Sequence, residues 1–280
     1  MYSNDSLLKL KRNREKLRIE LNRHHPSLMV GGLIGNIPAL ANSAISAGLS
    51  IVEPSHPAIA LARGLFPNIT DLNSAEKIRY KVRKDTMVDL VKEMRNLIGD
   101  DVLIGAGVPG VWNEDFPIDF DIDFAIFLSQ AGIDSLHTHK STFKEIEEIT
   151  KIAHAAGLMV DSFISENGIL GVEASSQADV ISVGKTLEKI GCDMIGILSS
   201  NLYMGKKSSL ITQDYLSRLK LLKMSVGVPV IAEGGITLEN FSVLCNGEAD
   251  ILIITSSIDE YIYENVKKII KDFLLIGKEK

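Results

Sequence analysis

The sequence predicts an α/β fold in which eight buried strands alternate with eight helices. Short apolar runs rich in Val, Ile and Leu recur along the 280 residues, separated by longer amphipathic stretches. Each strand–helix unit takes roughly 25–45 residues, a spacing that favours a closed barrel over an open doubly wound sheet. No linker divides the chain. We therefore predict one (β/α)8 TIM barrel domain over residues 1–280, with an extra N-terminal helical extension over residues 1–25.

Glycines mark the predicted returns from helix to strand. Ala47-Gly-Leu-Ser, Ala131-Gly-Ile-Asp, Ala156-Gly-Leu-Met and Ile190-Gly-Cys-Asp each stand just before an apolar run. Glycine ends helices readily because it adopts left-handed backbone conformations without a steric penalty. The predicted strands are Leu28–Ile34, Leu49–Val52, Val102–Ala106, Ile133–His139, Leu158–Asp161, Asp193–Leu198, Val228–Ala232 and Ala249–Ile254.

The first predicted helix, over residues 5–23, is basic and amphipathic, and we expect it to close the bottom of the barrel. Further helices are predicted from Pro38 to Gly48, Ala75 to Leu97, Phe124 to Ala131, Thr142 to Ala156, Ser176 to Ile190, Leu210 to Ser225 and Ile258 to Leu275. Three long irregular stretches remain, over residues 54–74, 107–119 and 199–210. Loops of this length inside a domain are usually functional.

Composition excludes several classes of function. A formal net charge of −6 argues against a nucleic-acid-binding surface. Cys192 and Cys245 stand far apart, without the spacing of a disulfide framework or a zinc motif, which suits a reducing cytoplasm. Residues 26–52 carry no charge and are long enough to span a bilayer, but Pro38 and several glycines divide them into strand and helix. We expect a cytoplasmic protein without a nucleic-acid or membrane partner.

The stretch from Val228 to Asn240 predicts an anion site. A β-branched strand leads to Glu233, and Gly234 and Gly235 then permit a turn that a ligand can approach closely. Thr237 is the predicted N-cap of a following helix. A strand, two glycines and a helix N-terminus together favour binding of a phosphate. The alternative is a simple tight turn.

Candidate catalytic residues stand at the carboxyl ends of the predicted strands, where barrel enzymes carry their chemistry. They are Glu53, His137, His139, Asp161 and Glu233. Strand alternation places both histidines on one side of their strand. Carboxylates here fit acid/base work or structural ion pairs equally well, and the histidines fit acid/base work, substrate binding or the core. A metal site would require carboxylates to converge on the histidines.

Residues 193–258 resemble the phosphate-binding, ribulose-phosphate-type barrels. The resemblance rests on the sixth strand and its loop, on Val228-Pro-Val-Ile-Ala-Glu-Gly-Gly-Ile-Thr, and on Ala249-Asp-Ile-Leu-Ile-Ile-Thr-Ser-Ser-Ile. It implies that backbone N–H groups at Gly234, Gly235, Ser256 and Ser257 hold a substrate phosphate. Thr255 departs from the glycine usual in those families. Residues 49–107 are distantly similar to the tryptophan synthase α chain, with an acidic residue ending the second strand.

These observations predict an enzyme, a lyase or isomerase that transfers protons on a small phosphorylated metabolite. Three alternatives stay open: an FMN-dependent oxidoreductase, a metal-dependent aldolase or phosphoenolpyruvate-type barrel, and a barrel that binds a phosphorylated ligand without turnover. No cofactor is required by the leading hypothesis, whereas FMN or a divalent metal belongs to the alternatives. The sequence allows a homo-oligomer without indicating one.

Overall fold

A computed structural model describes residues 3–55, 78, 81–108, 120–166, 168, 170–199 and 211–276. In these ranges nine strands form one parallel sheet, and eight of them close into a barrel in the order β1-β2-β3-β4-β5-β7-β8-β9. The short strand β6 pairs with the last two residues of β5, at its C-terminal end. The strands are β1 Ser27–Val30, β2 Ile51–Val52, β3 Leu103–Gly107, β4 Ser135–Thr138, β5 Met159–Ser165, β6 Val172–Glu173, β7 Met194–Leu198, β8 Val230–Glu233 and β9 Ile251–Ile254.

Helices surround the barrel and confirm the predicted (β/α)8 architecture with its extra N-terminal helix. The described helices are α1 Asn4–Arg23, α2 Gly32–Asn36, α3 Pro38–Ser46, α4 Lys84–Ile98, α5 Ile122–Ala131, α6 Phe143–Ala155, α7 Gln177–Ile190, α8 Gln213–Ser225, α9 Phe241–Leu244 and α10 Ser256–Ile276. Among the described helices, none is both long and apolar enough to cross a membrane.

Alternate strand residues fill the barrel interior and the layer beneath the helices. Met29, Ile51, Met159 and Ile251 belong to one buried cluster inside the barrel. The outward-facing residues of the same strands pack against helices in two further clusters, which include Val52, Ile104, Val160, Ile195 and Leu252. Burial on both faces explains why the strands appear in the sequence as continuous apolar runs.

Helix α1 closes the bottom of the barrel, as the sequence predicts. Leu10 and Leu17 on its apolar face join the interior cluster. Between them, the buried Asn13 amide donates hydrogen bonds to the carbonyl oxygens of Asp134 and Gly157, at 3.2 and 3.1 Å. Arg14 Nε donates to Asp193 Oδ1 at 2.6 Å. The helix is therefore anchored by apolar burial and by polar contacts to three strand entrances, the N-terminal ends of β4, β5 and β7.

Aspartates at the strand entrances hold this lower edge together. Asp134 Oδ2 accepts from the Ile104 backbone N–H at 3.0 Å, Asp193 Oδ2 from Val160 at 2.9 Å, and Asp250 Oδ2 from Val230 at 2.8 Å. Each carboxylate thereby ties its own strand to the neighbouring one. The Gly-Ile-Asp and Gly-Cys-Asp phrases of the sequence thus combine a helix stop with a strand clamp. Gly132 and Gly191 adopt left-handed φ values of 113° and 107° at these stops.

Several predicted boundaries are wrong. The first strand ends at Val30, because Gly31 and Gly32 turn the chain into helix α2 instead of extending the strand to Ile34. The fifth strand runs on from Asp161 to Ser165, so Phe163 belongs to the barrel and not to a loop. Helix α4 begins at Lys84 and not at Ala75, because Val82 and Arg83 just before it are not helical.

Helix α10 is mostly exposed after its first turn. Asp259 is its one buried residue, and the Asp259 carboxylate accepts from the Leu33 backbone N–H of α2 at 2.9 Å. Burial raises the pKa of this carboxyl to about 6. Beyond it the apolar side chains are exposed, among them Val266, Ile269, Ile270, Phe273, Leu274, Leu275 and Ile276. Whether the chain forms a homo-oligomer stays a prediction.

We expect Asp193→Ala to destabilise the fold by about 3–5 kcal/mol, because it removes a buried carboxylate from three partners at once. Arg14, His154 Nε2 and the Val160 N–H would all lose their acceptor. Urea unfolding followed by circular dichroism measures the change. Glu15→Ala, which breaks only the exposed pair with Arg18, is the control and should leave the urea midpoint unchanged. Equal midpoints for both variants would contradict the clamp.

Candidate active site

Five buried residues converge at the mouth of the barrel, which is formed by the C-terminal ends of the strands. Glu53 follows β2, His137 lies in β4 and His139 follows it, Asp161 lies in β5, and Glu233 ends β8. We call these five residues the mouth cluster. Each is at most 7% exposed. The structure therefore brings together all five candidate catalytic residues, although they come from four separate parts of the chain.

His137 lies at the centre of the mouth cluster. Its Nδ1 is 3.2 Å from Asp161 Oδ2, and its Nε2 is 3.7 Å from Glu233 Oε2 and 4.0 Å from Glu53 Oε1. Asp161 reaches the ring because β4 and β5 pair in the register that places His137 beside Asp161. The prediction that Asp161 ends its strand is wrong, because Asp161 is the third of the seven residues of β5.

His139 completes the cluster from the same side of β4. Its Nε2 is 3.2 Å from Glu233 Oε2, so both histidines approach the same carboxylate oxygen. The two imidazole rings meet edge to face, with centroids 4.6 Å apart. The alternation of strand side chains that the sequence indicates thus brings both rings to one point.

Phe163 supports both imidazoles from inside the barrel. Its ring centroid lies 4.9 Å from that of His137 and 4.8 Å from that of His139. The phenyl ring occupies space above Gly196 of β7, where an added Cβ would come within 2.1 Å of Phe163 Cε1. The sequence prediction missed both residues. A glycine in the middle of a buried apolar strand is the signal that a large ring packs there.

Carboxylates set the protonation of the two histidines. Burial by itself lowers the pKa of an imidazole, but Asp161, Glu53 and Glu233 together raise the pKa of His137 to about 10. Burial lowers the pKa of His139, and the neighbouring His137 adds to this effect. At neutral pH the cluster therefore contains an imidazolium at His137 beside a neutral imidazole at His139.

Two sets of contacts hold Glu233, one to its side-chain carboxylate and one to its backbone carbonyl. Burial raises the pKa of its carboxyl, but the imidazoles of His139 and His137 more than offset this and keep the pKa below its usual range. Its carbonyl oxygen accepts from Tyr215 Oη at 3.2 Å and from the Ser199 N–H at 3.0 Å. Tyr215, on α8, is a positioning residue that the sequence analysis did not identify.

Small residues let Glu53 enter the cluster. A Cβ at Gly31 would lie 2.7 Å from Thr255 Cγ2 and 3.0 Å from Glu53 Oε2, and one at Gly35 would lie 2.2 Å from the Glu53 carbonyl oxygen. Gly31 therefore marks the place where the mouth cluster meets the turn after β9. The repeated glycines of residues 31–35 are the sequence signal for this close approach.

The predicted phosphate residues form two adjoining turns. Gly234 and Gly235 adopt left-handed φ values of 106° and 63° after β8. Ser256 and Ser257 open helix α10 after β9, and Ser257 Oγ donates to the Ile236 carbonyl oxygen at 2.7 Å. This hydrogen bond joins the two turns. The four residues that the resemblance assigns to a phosphate are thus neighbours at the mouth.

The predicted N-cap at Thr237 is wrong. Asn240, and not Thr237, occupies the N-cap position of the short helix α9, which spans Phe241–Leu244, and its side chain makes no capping hydrogen bond. Instead of capping a helix, Thr237 donates its N–H to Asn240 Oδ1 at 2.9 Å, while Asn240 Nδ2 donates to the Gly235 carbonyl oxygen at 2.7 Å. Asn240 thereby rigidifies the glycine turn. The helix N-terminus beside these glycines is that of α10.

Parts of the three long predicted loops lie outside the described residues. These parts are residues 56–74, 109–119 and 200–210. Lys140, which directly follows His139, is buried, and its Nζ lies 3.1 Å from Glu145 Oε1. It is therefore engaged in an ion pair at the rim.

Comparison with known proteins finds likeness at the level of structure. No family model and no curated protein matches the sequence. Tryptophan synthase subunit α from Legionella pneumophila superposes with a TM-score of 0.61 and 14% identity, covering 93% of this chain and 90% of that one. A mutant tryptophan synthase α-subunit from Pyrococcus furiosus gives 0.59 and 16%, with 86% and 91% covered.

Phosphonopyruvate hydrolase is a second kind of structural neighbour, with a TM-score of 0.62, 14% identity, and coverage of 95% of this chain and 88% of that one. These superpositions establish a shared fold. Sequence identities this low carry no assignment of substrate. The chain is a (β/α)8 barrel whose fold is similar to that of the tryptophan synthase α chains.

Proposed function

We propose that this protein is an enzyme, a lyase or isomerase that moves protons on a small phosphorylated metabolite. The observation that carries the proposal is the mouth cluster itself. It combines an imidazolium, a neutral imidazole and carboxylates in a buried site at the catalytic end of a barrel. Groups with pKa values pushed in opposite directions are typical of acid/base centres.

His137 is suited to stabilise negative charge on a substrate. Asp161 holds its Nδ1, so the Nε2–H side of the ring faces Glu53 and Glu233. A carbonyl oxygen placed there would accept a hydrogen bond from Nε2, which favours the enolate formed when the adjacent carbon loses its proton. Because the ring is buried and held by β5, this donor is already oriented before the substrate arrives.

Glu53 is the proposed base. Its Oε1 is 4.0 Å from His137 Nε2, close enough for a substrate carbon beside a polarised carbonyl to reach it. Glu233 is engaged by His139 at 3.2 Å, which suits it to orient that ring. Asp161 is engaged by His137 and by the Thr138 N–H, so it orients the ring and does not itself transfer the proton.

A phosphate on the substrate would rest on the two joined turns. Gly234, Gly235, Ser256 and Ser257 lie beside Thr255, which meets Glu53 across Gly31. The N-terminus of the 21-residue helix α10 adds a favourable dipole for an anion. The names of the structural neighbours, a synthase subunit and a hydrolase, support catalysis only as an analogy of fold.

Gly235→Asp should weaken binding of inorganic phosphate by roughly 100-fold or more, because a fixed carboxylate repels the anion. Isothermal titration calorimetry measures the affinity. Gly99→Asp is a matched control: Gly99 also has a left-handed φ, of 76°, has open space at its Cβ and ends α4 at the far side of the barrel. Equal phosphate affinity in both variants and wild type would remove the phosphate from this turn.

Proton transfer can be tested without knowing the substrate. Small phosphorylated ketones and aldehydes incubated with the enzyme in D2O should incorporate deuterium next to the carbonyl, as followed by NMR. We expect Glu53→Gln to slow exchange by about 10²–10⁴-fold. The exposed Glu173 provides the control, and Glu173→Gln should exchange at the wild-type rate. Unchanged exchange in Glu53→Gln would show that Glu53 is not the base.

A further inference from the structure

We propose that the mouth cluster binds one divalent transition-metal ion through His137 Nε2, His139 Nε2 and a carboxylate oxygen of Glu233. The inference deepens the proposed function and rests on the mouth cluster being its catalytic centre. It depends on the arrangement of donor atoms and on the contacts that orient them. With the ion bound, the ion would polarise the substrate carbonyl in place of the His137 Nε2 proton, which does so in metal-free protein.

The three donor atoms already surround one point. Glu233 Oε2 is 3.2 Å from His139 Nε2 and 3.7 Å from His137 Nε2. Each of the three residues offers one ligand atom that lies within 4.8 Å of the ligand atoms of the other two. Donors bound at about 2.1 Å to a tetrahedral or octahedral ion are about 3.0–3.4 Å apart. Small rotations of the two imidazoles therefore produce a coordination site without moving the strands that carry them.

Asp161 provides the contact that metal-binding histidines usually have. It accepts from His137 Nδ1 at 3.2 Å, which directs the lone pair of Nε2 toward Glu233. Its second oxygen accepts from the Thr138 N–H at 3.1 Å, so the carboxylate is itself fixed. Phe163 fixes both rings from the other side. Asp161 and Phe163 are thus positioning residues for the site.

The charge balance also favours a cation. In the part of the chain that the structure describes, the ion-pair partners of the Asp161 and Glu233 carboxylates are imidazoles alone. Buried carboxylates are costly unless they are paired or coordinate a metal. A divalent ion at His137 Nε2 brings two positive charges to these carboxylates, whereas a proton brings one.

The donor set also selects the kind of ion. Two imidazole nitrogens and a carboxylate suit Zn²⁺, Co²⁺, Mn²⁺ or Fe²⁺, whereas Mg²⁺ prefers oxygen ligands and retained waters. One structural neighbour, phosphonopyruvate hydrolase, is known in complex with oxalate and Mg²⁺. We infer that this chain differs and prefers a transition metal. Glu53 would remain beside the ion to move protons.

Co²⁺ titration into chelator-treated protein tests the site without any substrate. We expect one Co²⁺ per chain, detected by calorimetry and by visible d–d absorption, and weaker binding of Mg²⁺. His139→Gln and Glu233→Gln should each lower Co²⁺ affinity by roughly 100-fold or more, and Asp161→Asn by about 10–100-fold with the stoichiometry unchanged. Circular dichroism of each metal-free variant checks that it folds.

The exposed residues His24 and His25 provide the matched control, because neighbouring surface histidines bind transition metals weakly. The double substitution of both by Gln should leave the tight site intact. Absence of Co²⁺ binding in wild type, or wild-type affinity in folded His139→Gln and Glu233→Gln, would overturn the metal site. Deuterium exchange in a wild-type protein that binds no Co²⁺ would overturn the metal site while leaving the proposed function. Co²⁺ binding without exchange would support the metal site and contradict the proposed reaction.

Discussion

The arrangement of the mouth depends on one electrostatic constraint, the burial of carboxylates around His137. Asp161 and Glu233 lie within 3.2 and 3.7 Å of its two ring nitrogens, and Glu53 lies 4.0 Å away, all of them out of solvent. Such a group of charges is tolerated only where a cation compensates it. The imidazolium of His137 supplies that cation, and a metal ion is the proposed alternative. Because the positive charge is fixed at this point, the substrate's carbonyl is expected to bind here.

The rest of the barrel stabilises this energetically unfavourable group of buried carboxylates. Helix α1 and the aspartates at the strand entrances tie the lower edge together, so the strands keep their register while polar groups occupy the upper end. Glycines then create space where the cluster needs it, at Gly31 for Glu53 and at Gly196 for Phe163. The stabilising contacts lie at the bottom and the proposed chemistry lies at the mouth, which is the division that barrel enzymes generally show.

The sequence predicts the barrel and the positions of the cluster because both follow from repeating local patterns. Apolar runs identify the strands, and the residue type at each strand end identifies His137, His139 and Glu233. The sequence pattern predicts a strand end at Asp161, because a carboxylate interrupts the apolar run there, but β5 continues past it. Phe163, Tyr215 and Gly31 were missed, since their roles depend on contacts between segments that only strand register and barrel closure bring together.

The protonation state of His137 tests the central claim most directly. In chelator-treated protein with ¹⁵N-labelled histidine, NMR titration should show an imidazolium at neutral pH that loses its proton at about pH 10. Asp161→Asn should lower this pKa, because the substitution removes the largest favourable charge. A neutral His137 at pH 7 in the wild-type protein, or a pKa unaffected by Asp161→Asn, would contradict the account.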